Sequence, residues 1–179
     1  MRHLLFKLLI LMVFSGYGAI VSAITFTAQI GSENPFNGID IGAMTNPTFG
    51  DIDADGDQDS FIGRRLTTYT YHFENTGSSS SPAFTERTGS DNPIKGVDIG
   101  SLSIPAFIDT DGDGDQDIFI GGVYGNILYY ENTGSSSSPA FTERTGSDNP
   151  FNGVNTGMYA APSFLDIDAD GDLDSFLGE

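Results

Sequence analysis

The residues best suited to do chemistry are aspartates, which form three dense clusters along the chain. Each cluster places Asp at positions one, three, five, seven and nine and Gly at position six. Neighbouring carboxylates repel one another by about 4 kcal/mol per pair at an effective dielectric constant of about 20. No Lys or Arg lies inside any cluster. The clusters consist of Asp51, Asp53, Asp55, Asp57 and Asp59; Asp109, Asp111, Asp113, Asp115 and Asp117; and Asp166, Asp168, Asp170, Asp172 and Asp174.

These clusters have the residue types of calcium-binding loops. Ca²⁺ takes oxygen ligands from alternate positions of a loop, and Gly in the sixth place allows the backbone to turn sharply. A hard divalent cation would neutralise carboxylates that no nearby side chain neutralises. We therefore expect about three Ca²⁺ ions, one for each cluster. The alternative from the residues alone is an acidic surface loop without a metal.

The flanks of each cluster distinguish it from an EF-hand loop. An EF-hand needs Glu at position twelve and a helix on each side. Position twelve is Ile62, Ile120 or Leu177 here, within a short apolar stretch, and a Pro-x-Phe segment precedes each cluster. Both flanks have the composition of strands, so the sequence predicts a cation loop between two strands.

Composition excludes several classes of protein. The chain has 179 residues, with 7 basic and 25 acidic side chains and no Cys, and its formal net charge is −18. Three Ca²⁺ would add 6 charges, and −18 + 6 leaves −12. No basic stripe is present to bind nucleic acid, and an anionic membrane surface would repel the chain. The absence of Cys rules out disulfides and thiolate metal sites.

Residues 1–23 have the pattern of an export signal. Arg2, His3 and Lys7 give a positive start, the segment 8–14 is continuously apolar, and small residues precede position 24. The apolar run is too short to span a membrane. We expect cleavage to leave residues 24–179 as one repeat region without a membrane span. That region would be secreted or held at the cell surface, with the periplasm as an alternative.

The chain after residue 23 repeats. The Pro-x-Phe segments begin at Pro47, Pro105 and Pro162, with spacings of 58 and 57 residues. Each unit contains a Gly/Asn/Pro-rich connector, a Pro-x-Phe strand, the Asp cluster, an apolar strand, an aromatic strand, a Ser-rich stretch and a Phe-Thr-Glu-Arg strand. The Ser-rich stretches 75–82 and 132–139 recur at one place in the unit, which predicts loops within a unit rather than linkers. No helical periodicity is present, so the class is all-β.

The pattern Pro-x-Phe-x-Asp-x-Asp-x-Asp-Gly-x-x-Asp-x-Phe-x-Gly resembles the FG-GAP/VCBS repeat, the blade unit of integrin-α-type β-propellers. The resemblance implies a partial β-propeller of four-stranded blades, with about two complete blades and partial end blades. It also implies that the first, third, fifth and ninth Asp of each cluster bind Ca²⁺ by their side chains. The seventh would contribute a backbone carbonyl.

The number of strands predicts an incomplete blade at each end of the chain, with apolar faces and sheet edges exposed. We number the strands of a unit in chain order, so the apolar strand is the second and the Phe-Thr-Glu-Arg strand is the fourth. A fourth strand is expected at Ile24–Gln29, and the chain stops at Glu179 after a second strand. Propellers typically have 4 to 8 blades. We therefore expect a fragment of a longer array of blades or, as the alternative, self-association through the exposed edges.

No constellation of catalytic residues stands out. His72 aligns with Tyr129 of the next unit, which indicates a strand position, and no Cys/His pair or Gly-x-Ser-x-Gly motif is present. We expect a non-catalytic adhesion or recognition module that binds an extracellular protein or glycan. The alternatives are the propeller portion of a larger exported enzyme, such as a hydrolase, and a calcium-dependent lectin.

Overall fold

The computed structural model describes residues 26–64, 70–95 and 103–179. The expected signal peptide, residues 1–23, lies outside these ranges. The described residues form ten strands in three antiparallel sheets. The strands are β1 (Thr45–Gly50), β2 (Asp59–Arg64), β3 (Tyr71–Asn75), β4 (Phe84–Arg87), β5 (Ile104–Ile108), β6 (Asp117–Gly121), β7 (Ile127–Asn132), β8 (Phe141–Arg144), β9 (Ala161–Leu165) and β10 (Asp174–Gly178).

Each sheet follows the order of the sequence. Sheet 1 contains β1-β2-β3-β4, sheet 2 contains β5-β6-β7-β8, and sheet 3 pairs β9 with β10. Pro47, Pro105 and Pro162 each lie on the first strand of a sheet. That strand is at the sheet edge, where the backbone N–H that proline lacks is not needed for pairing. The all-β class is confirmed, and two four-stranded sheets followed by a two-stranded sheet agree with a partial β-propeller.

The Asp loops and the Ser-rich loops lie at the same end of their sheets, as the alternation of strand direction requires. In sheet 1 the backbone N–H of Asn75, where β3 ends, donates to Asp59 Oδ1, where β2 begins, at 2.8 Å. The Asn75 side chain then accepts from Gly77 N and Ala83 N at 3.1 and 2.9 Å. Asn132 makes the same contacts in sheet 2. Both Ser-rich stretches are therefore compact loops within a sheet, as expected.

The core lies between successive sheets. All five residues of β6 are buried, because sheet 2 is covered on both faces. Side chains alternate along a strand, so Ile118 and Ile120 face sheet 1, where they belong to the same apolar cluster as Phe61, while Phe119 faces sheet 3. The rings of Phe119 and Phe164 lie 5.1 Å apart between centroids. One strand thus supplies both apolar interfaces.

Glycine at the end of the second strand allows the sheets to approach closely. A Cβ atom on Gly63 would collide with the carbonyl oxygen of Ser103, and one on Gly121 with that of Ala160. Ser103 and Ala160 each lie two residues before the proline in the first strand of the following sheet. The Phe-Ile-Gly end of a second strand therefore sets how tightly the following sheet packs.

One expected strand is absent. Residues 26–30 form no strand, while Ile24 and Thr25 lie outside the described residues. Residues 26–37 belong to a compact unit separate from Gly38–Glu179 and contain a single 3-10 turn, Gly31–Glu33. The strands β4 and β8, which have the similar sequence Phe-Thr-Glu-Arg, pair with β3 and β7. The described residues show no such pairing for residues 26–30.

The remaining helical structure is short. Two further 3-10 turns, Gly89–Asp91 and Gly146–Asp148, lie in the connectors between sheets. Among the residues that the structure describes, no helix has the length and apolar character to cross a membrane.

Candidate metal sites in three aspartate loops

The three Asp clusters form loops of nearly identical geometry, each joining the first strand of a sheet to the second. In every loop the first Asp accepts a hydrogen bond through Oδ2 from the backbone N–H of the sixth-position Gly, at 3.1, 3.0 and 3.1 Å. The fifth Asp accepts through Oδ1 from the N–H of the seventh residue at 2.9 Å in each loop. These bonds curl the backbone so that carboxylates at alternate positions point inward.

Two positions in each loop have left-handed backbone. Gly56, Gly114 and Gly171 at position six have φ between 91 and 98°, as the sequence predicts for the sharp turn. Position four is also left-handed, and there the residue is Gly112 in the second loop but Ala in the other two: Ala54 has φ 55° and Ala169 has φ 61°. Sequence reasoning missed this second bend, because Ala carries no turn signal.

The fold brings the first, third and fifth Asp of each loop together. One carboxylate oxygen from each of these three residues lies within 4.8 Å of the others, in every loop. The groups are Asp51, Asp53 and Asp55; Asp109, Asp111 and Asp113; and Asp166, Asp168 and Asp170. The seventh Asp (Asp57, Asp115 and Asp172) is outside these groups, and its predicted role, a carbonyl ligand, stays a prediction.

Crowding disfavours the ionised form of the carboxylates in these loops. Burial and repulsion from Asp55 raise the pKa of Asp53 above its ordinary value. The pKa of Asp111 is raised in the same direction by desolvation and by the carboxylates around it. Asp51 Oδ1 and Asp166 Oδ1 are buried and accept no hydrogen bond in the described structure. Unsatisfied, inward-facing oxygens among like charges fit a hard divalent cation with oxygen ligands.

The ninth Asp links the loop to the sheet. Asp117 Oδ1 accepts from Asn132 N at 2.8 Å, and Asp117 Oδ2 accepts from Thr110 N at 3.1 Å. Asp59 Oδ1 accepts from Asn75 N in the same way, and Asp174 Oδ2 accepts from Ile167 N at 3.2 Å. These bonds anchor the loop whether or not the side chain also contacts a metal, and the metal contact stays a prediction for Asp59, Asp117 and Asp174.

The first loop has a distinctive neighbour. His72 occupies the place of Tyr129 and stacks on Phe61 with 4.3 Å between ring centroids. Burial lowers the pKa of His72 to about 4, and burial raises the pKa of Asp59 to about 7. Both side chains line a cleft of about 240 Å³ whose other walls include Asp53 and the Ser-rich loop of sheet 2.

The comparison with protein families agrees with this geometry. The family model of the FG-GAP-like repeat matches residues 109–177, from the first Asp of the second loop to the last strand. This part of the chain is similar to an FG-GAP-like repeat. No curated protein matches the chain.

The FG-GAP match covers the second and third loops. The first loop lies outside the matched residues but repeats their hydrogen bonds, from Gly56 N to Asp51 Oδ2 and from Asp57 N to Asp55 Oδ1. It is therefore a third copy of the same structural unit. FG-GAP repeats are typical of extracellular modules that act in adhesion and recognition.

Proposed function

We propose that this chain is a secreted, calcium-stabilised FG-GAP repeat protein that acts as a non-catalytic adhesion or recognition module. The observation that carries the proposal is the convergence of three carboxylates within 4.8 Å in each of three equivalent loops. Its partner would be an extracellular protein or glycan.

Calcium is the cation that suits these loops best. Ca²⁺ accepts 6 to 8 oxygen ligands in flexible geometry, whereas Mg²⁺ requires a near-ideal octahedron and retains water. Three carboxylates, together with a backbone carbonyl and solvent, supply such a set without His or Cys. Outside the cell even a site with a Kd of about 10⁻⁴ to 10⁻³ M would be occupied.

The bound ions would serve the fold rather than a reaction. Each loop joins two neighbouring strands, and the unfolded loop has no preformed site, so the free energy of binding adds to the free energy of folding. A site repeated once in every sheet fits a structural role, because each sheet has the same bend to hold. The excess of acidic side chains argues against a nucleic-acid partner.

Thermal unfolding tests the structural role of calcium. We expect the melting temperature of the mature protein to rise with added Ca²⁺ and to fall with EGTA, with a parallel loss of near-UV circular dichroism. Mg²⁺ at the same concentration serves as the cation control. A melting temperature that EGTA and Ca²⁺ leave unchanged would contradict the proposal.

A further inference from the structure

The cleft between sheets 1 and 2 contains two buried polar side chains that lack hydrogen-bond partners. His72 is 4% exposed and Asp59 is 2% exposed. Both ring nitrogens of His72 and the Oδ2 atom of Asp59 are buried and make no hydrogen bond in the described structure. Both residues line the cleft, whose volume is about 240 Å³. Because buried polar atoms normally have a partner, these atoms are suited to bind a ligand.

The corresponding place in sheet 2 shows what kind of partner is needed. Tyr129, at the position of His72, donates its hydroxyl to Asp117 Oδ2 at 3.1 Å, and Thr110 N donates to the same oxygen. An imidazole is shorter than a phenol, so the side chain of His72 ends before the place that the phenol hydroxyl takes in sheet 2. A hydrogen-bond donor supplied by a ligand can take that place beside Asp59.

The charge of the cleft favours a cationic donor. Asp53, Glu74 and Asp91 line it together with Asp59, and no Lys or Arg is among the described residues of its walls. Arg87 donates two hydrogen bonds of 2.7 Å to Glu74. The other three carboxylates make no ion pair in the part of the chain that the structure describes. A positively charged ligand would therefore be attracted to this cleft.

An ammonium group suits the cleft better than a second metal ion does. The groups of three or more converging metal ligands among the described residues consist of Asp alone, and none includes His72 or Asp59. A primary ammonium has three donors, so it can reach one ring nitrogen of His72 and Asp59 Oδ2 without their converging on a point. The other ring nitrogen of a neutral imidazole carries a hydrogen and needs an oxygen acceptor. A hydroxyl next to the ammonium would supply that acceptor.

We propose that the cleft between sheets 1 and 2 binds an amino sugar, through a primary ammonium and a neighbouring hydroxyl. The inference rests on the proposed function and deepens it, because an amino sugar unit is one kind of glycan partner. Ile52, Pro93 and Pro139 supply apolar walls for the carbon atoms of the ring. The volume is below the range of about 300 to 1,000 Å³ for pockets of larger ligands, so the cleft suits one sugar unit.

Calorimetric titration with glucosamine, on the mature protein in saturating Ca²⁺, tests the proposal. We expect one binding site per chain. Glucose, which has a hydroxyl in place of the ammonium, and N-acetylglucosamine, whose nitrogen is uncharged, should not bind. Ethanolamine has the same two groups without a ring and should bind more weakly than glucosamine. His72→Tyr should abolish binding, because the phenol would fill the place of the ammonium.

Two variants at equivalent positions test the contribution of charge. Asp91 ends the 3-10 turn Gly89–Asp91 and lines the cleft, while Asp148 ends the equivalent turn Gly146–Asp148 in the next connector. Asp91→Asn should weaken glucosamine binding about threefold, because an exposed charge contributes less than about 1 kcal/mol. Asp148→Asn is the matched control and should leave the affinity unchanged. Equal effects of the two substitutions would contradict the placement of the ligand.

Ca²⁺ titration of the same samples separates this inference from the proposed function. A wild-type protein that binds Ca²⁺ but not glucosamine would overturn the inference and leave the calcium-stabilised module intact. Binding that survives His72→Tyr, or that glucose or ethanolamine matches, would also overturn it. Glucosamine binding that depends on His72 in a protein that binds no Ca²⁺ would refute the role of calcium and support the cleft.

Discussion

The hydroxyl of Tyr129 donates a hydrogen bond to Oδ2 of Asp117 at 3.1 Å, joining the third strand of sheet 2 to the end of its Asp loop. Both side chains are buried. In sheet 1 the corresponding pair is His72 and Asp59, and here Asp59 Oδ2 and both ring nitrogens of His72 are buried without a hydrogen-bond partner in the described structure. The two sheets therefore differ at the point where the loop is held.

Replacing His72 by Tyr should stabilise the protein. The new hydroxyl would donate to Asp59 as Tyr129 donates to Asp117, and a hydrogen bond of this kind contributes about 1 kcal/mol. Urea unfolding in saturating Ca²⁺ measures the change. The reciprocal variant Tyr129→Phe leaves Asp117 without that donor and should lower the free energy of unfolding by about 1 kcal/mol. A destabilised His72→Tyr beside an unaffected Tyr129→Phe would show that the pair has no such role.

His72 should make the stability of the protein sensitive to mild acid. Burial lowers its pKa from 6.5 to about 4, so the unfolded chain binds a proton on this ring at a higher pH than the folded chain does. Between these values the unfolded state holds more protons on this ring, so the contribution of His72 to stability falls as pH decreases from about 6.5 towards 4. Because His72→Phe removes the titrating group, the stability of the wild type relative to this variant should drop between pH 7 and pH 5 in urea unfolding. Equal pH dependence of the two proteins would contradict the assignment.

Glycine 121 should tolerate no side chain. A Cβ atom there would collide with the backbone of Ala160, which cannot move without separating sheets 2 and 3. We expect Gly121→Ala to lower the free energy of unfolding by about 2 kcal/mol, as overpacking does. Gly178→Ala is the matched control, since its Cβ would approach only Ala161 of its own sheet, at 3.4 Å. Equal losses from both substitutions would refute the close-approach explanation.

The loop positions should differ in their effect on calcium. Asp113 belongs to the converging carboxylates and Asp115 does not. Removing one charge with Asp113→Asn should therefore eliminate or greatly weaken one site, while Asp115→Asn should leave the number of sites unchanged. Calorimetric titration compares the two variants. A larger loss from Asp115→Asn would place the metal elsewhere in the loop.

Much of this architecture is predictable because its signals are local. The Pro-x-Phe segments, the Asp clusters and the glycine at position six recur with a constant period, and each specifies a strand or a turn through its neighbours in sequence. The second strands begin at Asp59 and Asp117, and each follows its loop as the period predicts. The three groups of converging carboxylates are likewise those at alternate positions of each loop.

The features that sequence reasoning missed depend on contacts distant in the chain. The segment beginning at Phe26 resembles the strands that begin at Phe84 and Phe141, yet it forms no strand, and its own sequence does not specify whether a partner strand is available. The left-handed conformation of Ala54 is set by the closure of the whole loop rather than by its own preference. Phe61 is buried against the sheet that follows it, whereas Phe176 lies on the last sheet that the structure describes and is exposed.

The central claim is that each Asp loop holds a calcium ion, and a crystal structure tests it most directly. Crystals grown with millimolar Ca²⁺ and measured at a wavelength where calcium scatters anomalously should show one peak in each of the three loops, close to the converging carboxylates. Data of good quality that show no anomalous density in these loops would contradict the account.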